Sequence, residues 1–424
     1  MLKKPLFLVI YPYVVTDIIY TQYDLNNFKP FCEIIIWDIS KIIDLKYSKS
    51  IQVEGSKKKE VVVFEGLIEL IREIRLLRAK SAYTNICILN QTNNNSINEF
   101  FCNLIVNPLI KKKNITIFDL YNGGIPLRSF NNTSKHNEGT LRVRLTERVV
   151  LFFRTINSID HFRKRLSGLS IRLLDQLIPK QVSYHFVAGQ DWLNLALTRS
   201  KHIKEEMIVH GNSIDYNNYL NNISSEASIE NRAVLLDRPA PAFNSDYVLE
   251  KLVERTTSEV WYPALSNFFD QIEDQTDVIV DIAGHYKSAH PHISPLFGNR
   301  EVHYGRTREM VQNCKFVITI SSTAISYAVI YRKPIILIYS DQLKLDKVKM
   351  MEIYFLADLL GITPINIDEP PVDIKNFLFV DEAKYINYEK SCLYSENSMR
   401  PNYQIILEKI MNIPNNEQPI TLPL

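Results

Sequence analysis

The feature that most constrains this chain is a recurring texture. Short, uninterrupted apolar runs of strand length alternate with segments of helical periodicity over most of its 424 residues. The runs Leu6–Tyr11, Glu33–Trp37, Val61–Phe64, Asn85–Leu89, Ile115–Leu120, His185–Ala188 and Met207–His210 form a first series. Ala233–Leu236, Val278–Ile282, Val302–Tyr304, Phe316–Ile320 and Pro334–Tyr339 form a second. Helical patterns lie between or after them, including Leu67–Arg78, Asn98–Lys112, Thr257–Gln271, Thr307–Asn313, Ser322–Tyr331 and Lys344–Leu360. A strand that is apolar on both faces must be covered on both faces, which is the condition of a parallel sheet flanked by helices. The expected fold class is therefore α/β, with two Rossmann-like doubly wound domains facing a cleft. The length exceeds what one core usually supports, and no internal repeat points to a solenoid.

Between the two series the polar stretch Asn217–Asn231 reads as an interdomain linker. The expected organisation is an N-terminal α/β domain over 1–225, a C-terminal α/β domain over 226–385, and a terminal segment over 386–424. The helical periodicity of Tyr403–Met411 suits a helix that crosses back to the first domain.

Net charge is +2, so nothing in the bulk composition asks for nucleic acid as a partner. Cys32, Cys87, Cys102, Cys314 and Cys392 are scattered, with no CxxC pair, and read as reduced core thiols of a cytoplasmic protein. The apolar run behind Lys3 and Lys4 has the look of a signal peptide. It is interrupted by Pro12 and lacks a small-residue cleavage site, so a first buried strand is the better reading. The segment 141–181 carries nine Lys/Arg against three acids at helical spacing. It fits either a solvated helix face packed on the first domain or peripheral contact with the inner face of the cytoplasmic membrane.

The chemistry concentrates between Asp277 and Asp341. Strand Phe316–Ile320 runs into Ser321, Ser322 and Thr323 ahead of a helix, where small hydroxyl residues and free backbone N–H groups can receive a phosphate. A plain helix cap is the other reading. His285 emerges after strand Val278–Ile282, followed by Lys287 and then His290-Pro291, a cationic loop suited to a departing phosphate. Gly305 ends the next strand, and Thr307 is placed to cap the following helix, flanked by Arg306 and Arg308. Asp237 follows the first strand of the second series, where an acid can hold a ligand hydroxyl or brace the hinge. No Asp-x-Asp stands at a strand end, and the His cluster has neither a Cys nor paired carboxylates beside it. No metal site and no cofactor are expected. A general base facing the second domain's site should come from the first domain, with Asp191 and Asp215 ranked ahead of Asp119 and His210 because each follows a strand end.

The ordered set of a strand–His loop, a Gly-x-Thr helix start, a strand–Ser/Thr helix start and a Lys-Pro-Ile strand, over roughly residues 230–345, resembles GT-B glycosyltransferases of bacterial surface-polysaccharide clusters. Similar patterns occur in CMP-sugar-using sialyltransferases and Kdo-transferase-like enzymes, and in teichoic-acid-type polymerases that use CDP-glycerol. The resemblance implies metal-independent transfer of a sugar from a CMP-linked donor, such as sialic, pseudaminic or legionaminic acid or Kdo, onto a capsule or lipopolysaccharide glycan. It implies donor-phosphate contact by His285 or His290, and phosphate or ribose contact by Ser322 and Thr323. Tyr286 stands where the family has the proline of a His-Pro pair, and Thr319-Ile320 where teichoic-type enzymes have Thr-Asp. The alternatives are a CDP-polyol phosphotransferase and a non-catalytic nucleotide-binding scaffold of a polysaccharide assembly complex.

Overall fold

The computed structural model describes residues 4–44, 56–79, 83, 85–92, 96–123, 178–199, 203–223, 228–238, 241, 254–285, 294–395 and 400–413. The first series of apolar runs forms β1 (Leu6–Tyr11), β2 (Glu33–Asp38), β3 (Val61–Val63), β4 (Ile86–Asn90), β5 (Ile115–Tyr121), β6 (Tyr184–Ala188) and β7 (Ile208–Gly211). The second forms β8 (Arg232–Leu236), β9 (Ile279–Gly284), β10 (Val302–Tyr304), β11 (Phe316–Thr319), β12 (Ile335–Tyr339) and β13 (Ile365–Asn366). The strands make two sheets, in the orders β3-β2-β1-β4-β5-β6-β7 and β10-β9-β8-β11-β12-β13. All their pairings are parallel. Each sheet starts at its centre, winds to one edge, then returns and winds to the other. These are two Rossmann-like doubly wound α/β domains, as the texture of the sequence required.

The helices used below are α1 (Leu67–Ala79), α2 (Ile97–Val106), α3 (Gly189–Arg199), α4 (Ile214–Leu220), α5 (Ser258–Thr276), α6 (Thr307–Asn313), α7 (Ile325–Ile330), α8 (Lys347–Leu360), α9 (Glu382–Tyr388) and α10 (Asn402–Ile405). Local chemistry sets several of their ends. The Ser96 hydroxyl accepts from the Glu99 amide at the start of α2, and Asp346 accepts from the amides of Val348 and Lys349 at the start of α8. The pattern expected over Asn98–Lys112 breaks at Asn107, where Pro108 turns the chain into a tighter helical turn.

Alternation along the strands explains why both faces of each sheet are buried. In the second sheet, Leu235, Val280, Ile282 and Ile318 pack against Trp261, Phe268 and Phe269 of α5. Val234, Leu236, Val317 and Leu337 face the other way, against Tyr327, Tyr385 and Tyr388. The first sheet has the same two-sided character, with Phe7, Val9 and Ile36 on one side and Leu8, Ile10 and Ile88 on the other. All five cysteines are buried and unbonded.

Two stretches connect the domains. The polar segment Asn217–Asn231, expected as a linker, begins inside α4, and Tyr216 and Leu220 of that helix join the core of the second domain. Asn217 is buried, and its side-chain Oδ1 accepts from the Asn402 backbone amide at 2.6 Å, whereas Asn221, Asn222 and Asn231 are exposed. The returning stretch passes through a helical turn over Glu389–Leu393 and reaches α10, whose continuation Ile406–Ile410 packs with Phe7 and Phe28 of the first domain. The two stretches are stitched together: the Ser213 amide donates to the Leu393 carbonyl at 2.6 Å, and the Asn212 amide to Asn402 Oδ1 at 2.9 Å. Gly189 explains how closely they pass. Its φ is +72°, and a Cβ there would stand 2.5 Å from the Ser391 carbonyl oxygen, so only glycine fits.

Candidate functional site

In doubly wound sheets, ligands bind beyond the carboxyl ends of the strands, where the strand order reverses. In the second sheet that point lies between β8 and β11. The register pairs Leu236 with Thr319 and with Ala283. Asp237, the Gly284–His285 step and the Ile320–Ser321 step therefore leave the sheet together at one edge. Asp237 is buried, and its amide donates to the Ala283 carbonyl at 3.1 Å. His285 is half-buried at the end of β9. Glycine at 284 leaves room for the Tyr304 ring, which a Cβ would approach to 2.5 Å and displace.

The hydroxyl-rich stretch takes a form different from the one expected. The helix begins at Ile325, and Ser321 to Ala324 form a turn ahead of it. The Ser322 amide donates to Thr319 Oγ1 at 3.2 Å, and the Ala324 amide donates to Ser322 Oγ at 3.3 Å. Two amides of the expected phosphate cradle are thus satisfied by nearby Ser and Thr hydroxyls, a local competition to which these residues are prone. Thr323 is exposed, and Ser321 and Ser322 are half-buried.

At the edge strand, Gly305 has φ +74°. Thr307 is the first helical residue of α6 rather than its cap; Arg306 holds the cap position, with no side-chain capping bond. Arg306 is turned onto Glu309 in a two-pronged ion pair, Nε–Oε2 3.0 Å and Nη2–Oε1 2.5 Å. Lys287, His290 and Pro291 lie outside the described residues, as does the basic segment up to residue 177.

The base candidates separate clearly. Asp119 pairs with His185 Nδ1 at 2.8 Å and lies 3.5 Å from the Lys180 ammonium. Burial alone would raise its carboxyl, but Lys180 and His185 together hold it below its ordinary value. It is an internal ion cluster. Lys180 also donates to the carbonyls of Asn90 and Thr92. His210 is exposed, with Nδ1 3.1 Å from Ser395 Oγ. Asp191 sits in the first turn of α3, its carboxyl raised by burial beside the crossing segment that carries Cys392. Asp215 sits in the first turn of α4, where burial pushes its carboxyl up to about 6 against opposing hydrogen bonds from Tyr327 and Ser326 of α7. Of the two acids ranked first, Asp215 alone is joined to the helix that follows the Ser321–Ala324 turn.

Sequence reasoning missed Glu352. It projects from α8 with Oε2 3.5 Å from Ser321 Oγ and 2.8 Å from the Lys349 ammonium. An acid in mid-helix, far along the chain, offers no motif; only packing brings it to the strand edge. Among the described residues, no helix is long and apolar enough to cross a membrane.

No protein-family model matches the sequence, and no curated protein matches it. Solved structures similar to it include a variant of the wall teichoic acid polymerase TagF, at 15% identity over 92% of this chain and 85% of that chain, TM-score 0.45. Another is Phytolacca americana UGT2 complexed with UDP-2fluoro-glucose and pterostilbene, at 8% identity over 92% and 90% of the two chains, TM-score 0.45. A third is Methanocaldococcus jannaschii UDP-GlcNAc 2-epimerase in complex with UDP-GlcNAc and UDP, at 12% identity over 90% and 98%, TM-score 0.39.

Proposed function

We propose that this chain is a GT-B-type glycosyltransferase that moves a nonulosonate sugar from a CMP-linked donor onto a glycan acceptor. The observation that carries the reading is the convergence at the switch point of the second sheet. Asp237, His285 and the Ser321–Ala324 turn end three adjacent parallel strands, and Asp215 of α4 touches the helix that follows.

In this reading the donor phosphate lies against His285 and the hydroxyls of Ser322 and Thr323. Glu352 and Asp237 accept from hydroxyls of the nucleotide ribose or the sugar. Asp215 takes the acceptor hydroxyl's proton as its oxygen bonds to the anomeric carbon. The bond from that carbon to the phosphate oxygen breaks, and CMP leaves with the electron pair. A carboxyl held near pH 6 is suited to this role, since a general base works best when its pKa lies close to the working pH. Developing charge on the phosphate is met by a histidine and hydroxyls without a metal ion.

The test is calorimetric titration of the full chain with CMP, CDP, UMP, UDP, GDP and dTDP, with and without Mg2+. The expected result is selective, Mg2+-independent binding of CMP, weakened by His285→Ala and by Ser322→Ala. Preference for UDP or GDP would remove the nonulosonate donor. Unchanged CMP affinity in both variants would remove the site.

A further inference from the structure

We infer that the second domain carries a divalent transition-metal site, best matched by Zn2+, formed by Asp281, Glu301 and His303 on one face of its sheet. It does not rest on the transferase reading. Asp281 lies in mid-β9, three residues before the strand end, inside an otherwise apolar run. The Ile282 amide donates to the Glu301 carbonyl, and His303 pairs with Ala283, so Glu301, just before the edge strand β10, and His303 within it flank Asp281. Residues two apart on a strand share a face. One ligand atom from each of the three side chains lies within 4.8 Å of the others, and His303 Nε2 is 3.3 Å from Glu301 Oε2.

An acidic cluster alone would say little. The second observation is the state of Asp281, which is only 4% exposed. Its Oδ2 is held by Arg232 Nη1 at 2.5 Å, but its Oδ1 has no hydrogen-bond partner. An unpartnered carboxylate oxygen at that depth costs about 1–3 kcal/mol or more unless something binds it. It lines a pocket of about 190 Å³ shared with Glu301 and His303 and roofed by α6. Glu230, Asp281, Glu301 and Glu309 line this pocket against Arg232 and Arg306, four carboxylates to two guanidiniums. A divalent cation would balance the remaining two charges.

The ligand chemistry narrows the ion. One imidazole nitrogen with two carboxylates favours Zn2+ or a neighbouring transition metal over Mg2+ or Ca2+, which prefer all-oxygen sets. Arg232 on the far oxygen of Asp281 is the kind of outer partner that fixes a ligating carboxylate. The bound ion would tie the short edge strand β10 to β9.

The experiment uses the full chain, stripped with a chelator and dialysed, then titrated with ZnCl2 calorimetrically and followed by thermal unfolding. One equivalent should bind with a rise in Tm, and Co2+ should replace it with visible d–d absorption. Asp281→Asn also removes the ion pair with Arg232, so the deciding variants are His303→Ala and Glu301→Gln, whose side chains reach the surface. Each should weaken Zn2+ binding at least about tenfold while leaving the far-UV circular dichroism unchanged. Zn2+ uptake equal in the wild type and the double variant, or displacement by equimolar Mg2+, would overturn the assignment.

Discussion

Replacing Asp215 by Asn should make the protein more stable near neutral pH and, if the proposed function holds, remove transfer. Burial raises the Asp215 carboxyl from an ordinary 3.8 to about 6, with hydrogen bonds from Tyr327 and Ser326 pulling the other way. A group whose folded pKa is raised favours folding while protonated, below its unfolded value near 4. That contribution is lost as pH climbs through about 6. A shift of about two units corresponds to roughly 3 kcal/mol, present as a penalty at pH 7.5 and absent at pH 4. Asn has nearly the same shape, and its amide oxygen can still accept from Tyr327 or Ser326, but it never ionises. The stability difference between Asp215→Asn and the wild type should therefore rise by about 3 kcal/mol between pH 4 and pH 7.5. That amounts to several degrees in Tm for a domain of this size. If Asp215 is the base of the proposed transfer, the rate, read as nucleotide release with acceptor, should fall by about 10²–10⁴. The assay is paired thermal unfolding of both proteins across that pH range. Parallel pH profiles for the two proteins would refute the reasoning, because they would mean that the carboxylate is already well solvated where α4 meets α7.

Gly189→Ala should destabilise by about 1–3 kcal/mol and loosen the joint, since it meets the Ser391 carbonyl and demands a positive φ; faster hydrogen exchange in Glu389–Leu393 would show it. Phe269→Ala should cost about 3–5 kcal/mol in urea unfolding, because its ring is buried between α5 and the second sheet. On the proposed function, Glu352→Gln should weaken nucleotide binding severalfold while costing no more than about 1 kcal/mol of stability, since its ion pair with Lys349 is partly exposed. A larger loss of stability would make Glu352 a structural acid.

Much of the fold was legible before any coordinate. β1 and β10 have the bounds read from their apolar runs, and the other runs shift by one or two residues at their ends. The missed strand, β13, is two residues long and carries too little apolar sequence to register. Helices were harder wherever polar residues start them. α3 opens on Gly-Gln-Asp and α4 on Ile-Asp, and neither shows a stripe long enough to outweigh that polarity. The site was less legible than the fold. Ser321, Ser322 and Thr323 read as a helix start, yet their hydroxyls draw the amides of Ser322 and Ala324 into a turn, so the helix waits until Ile325.

What the sequence determined alone was local: the two-sided apolar strands and the helical periodicity between them, and hence a doubly wound α/β chain. These follow from periodicity and from hydrogen bonds reaching a few residues at most. What only tertiary structure decided was which distant groups meet. Asp215 meets Tyr327, Gly189 meets Ser391, Glu352 meets Ser321, and Asp281 shares a sheet face with Glu301 and His303. Such meetings depend on strand order, register and close packing across the whole molecule, and no short window of sequence carries that information.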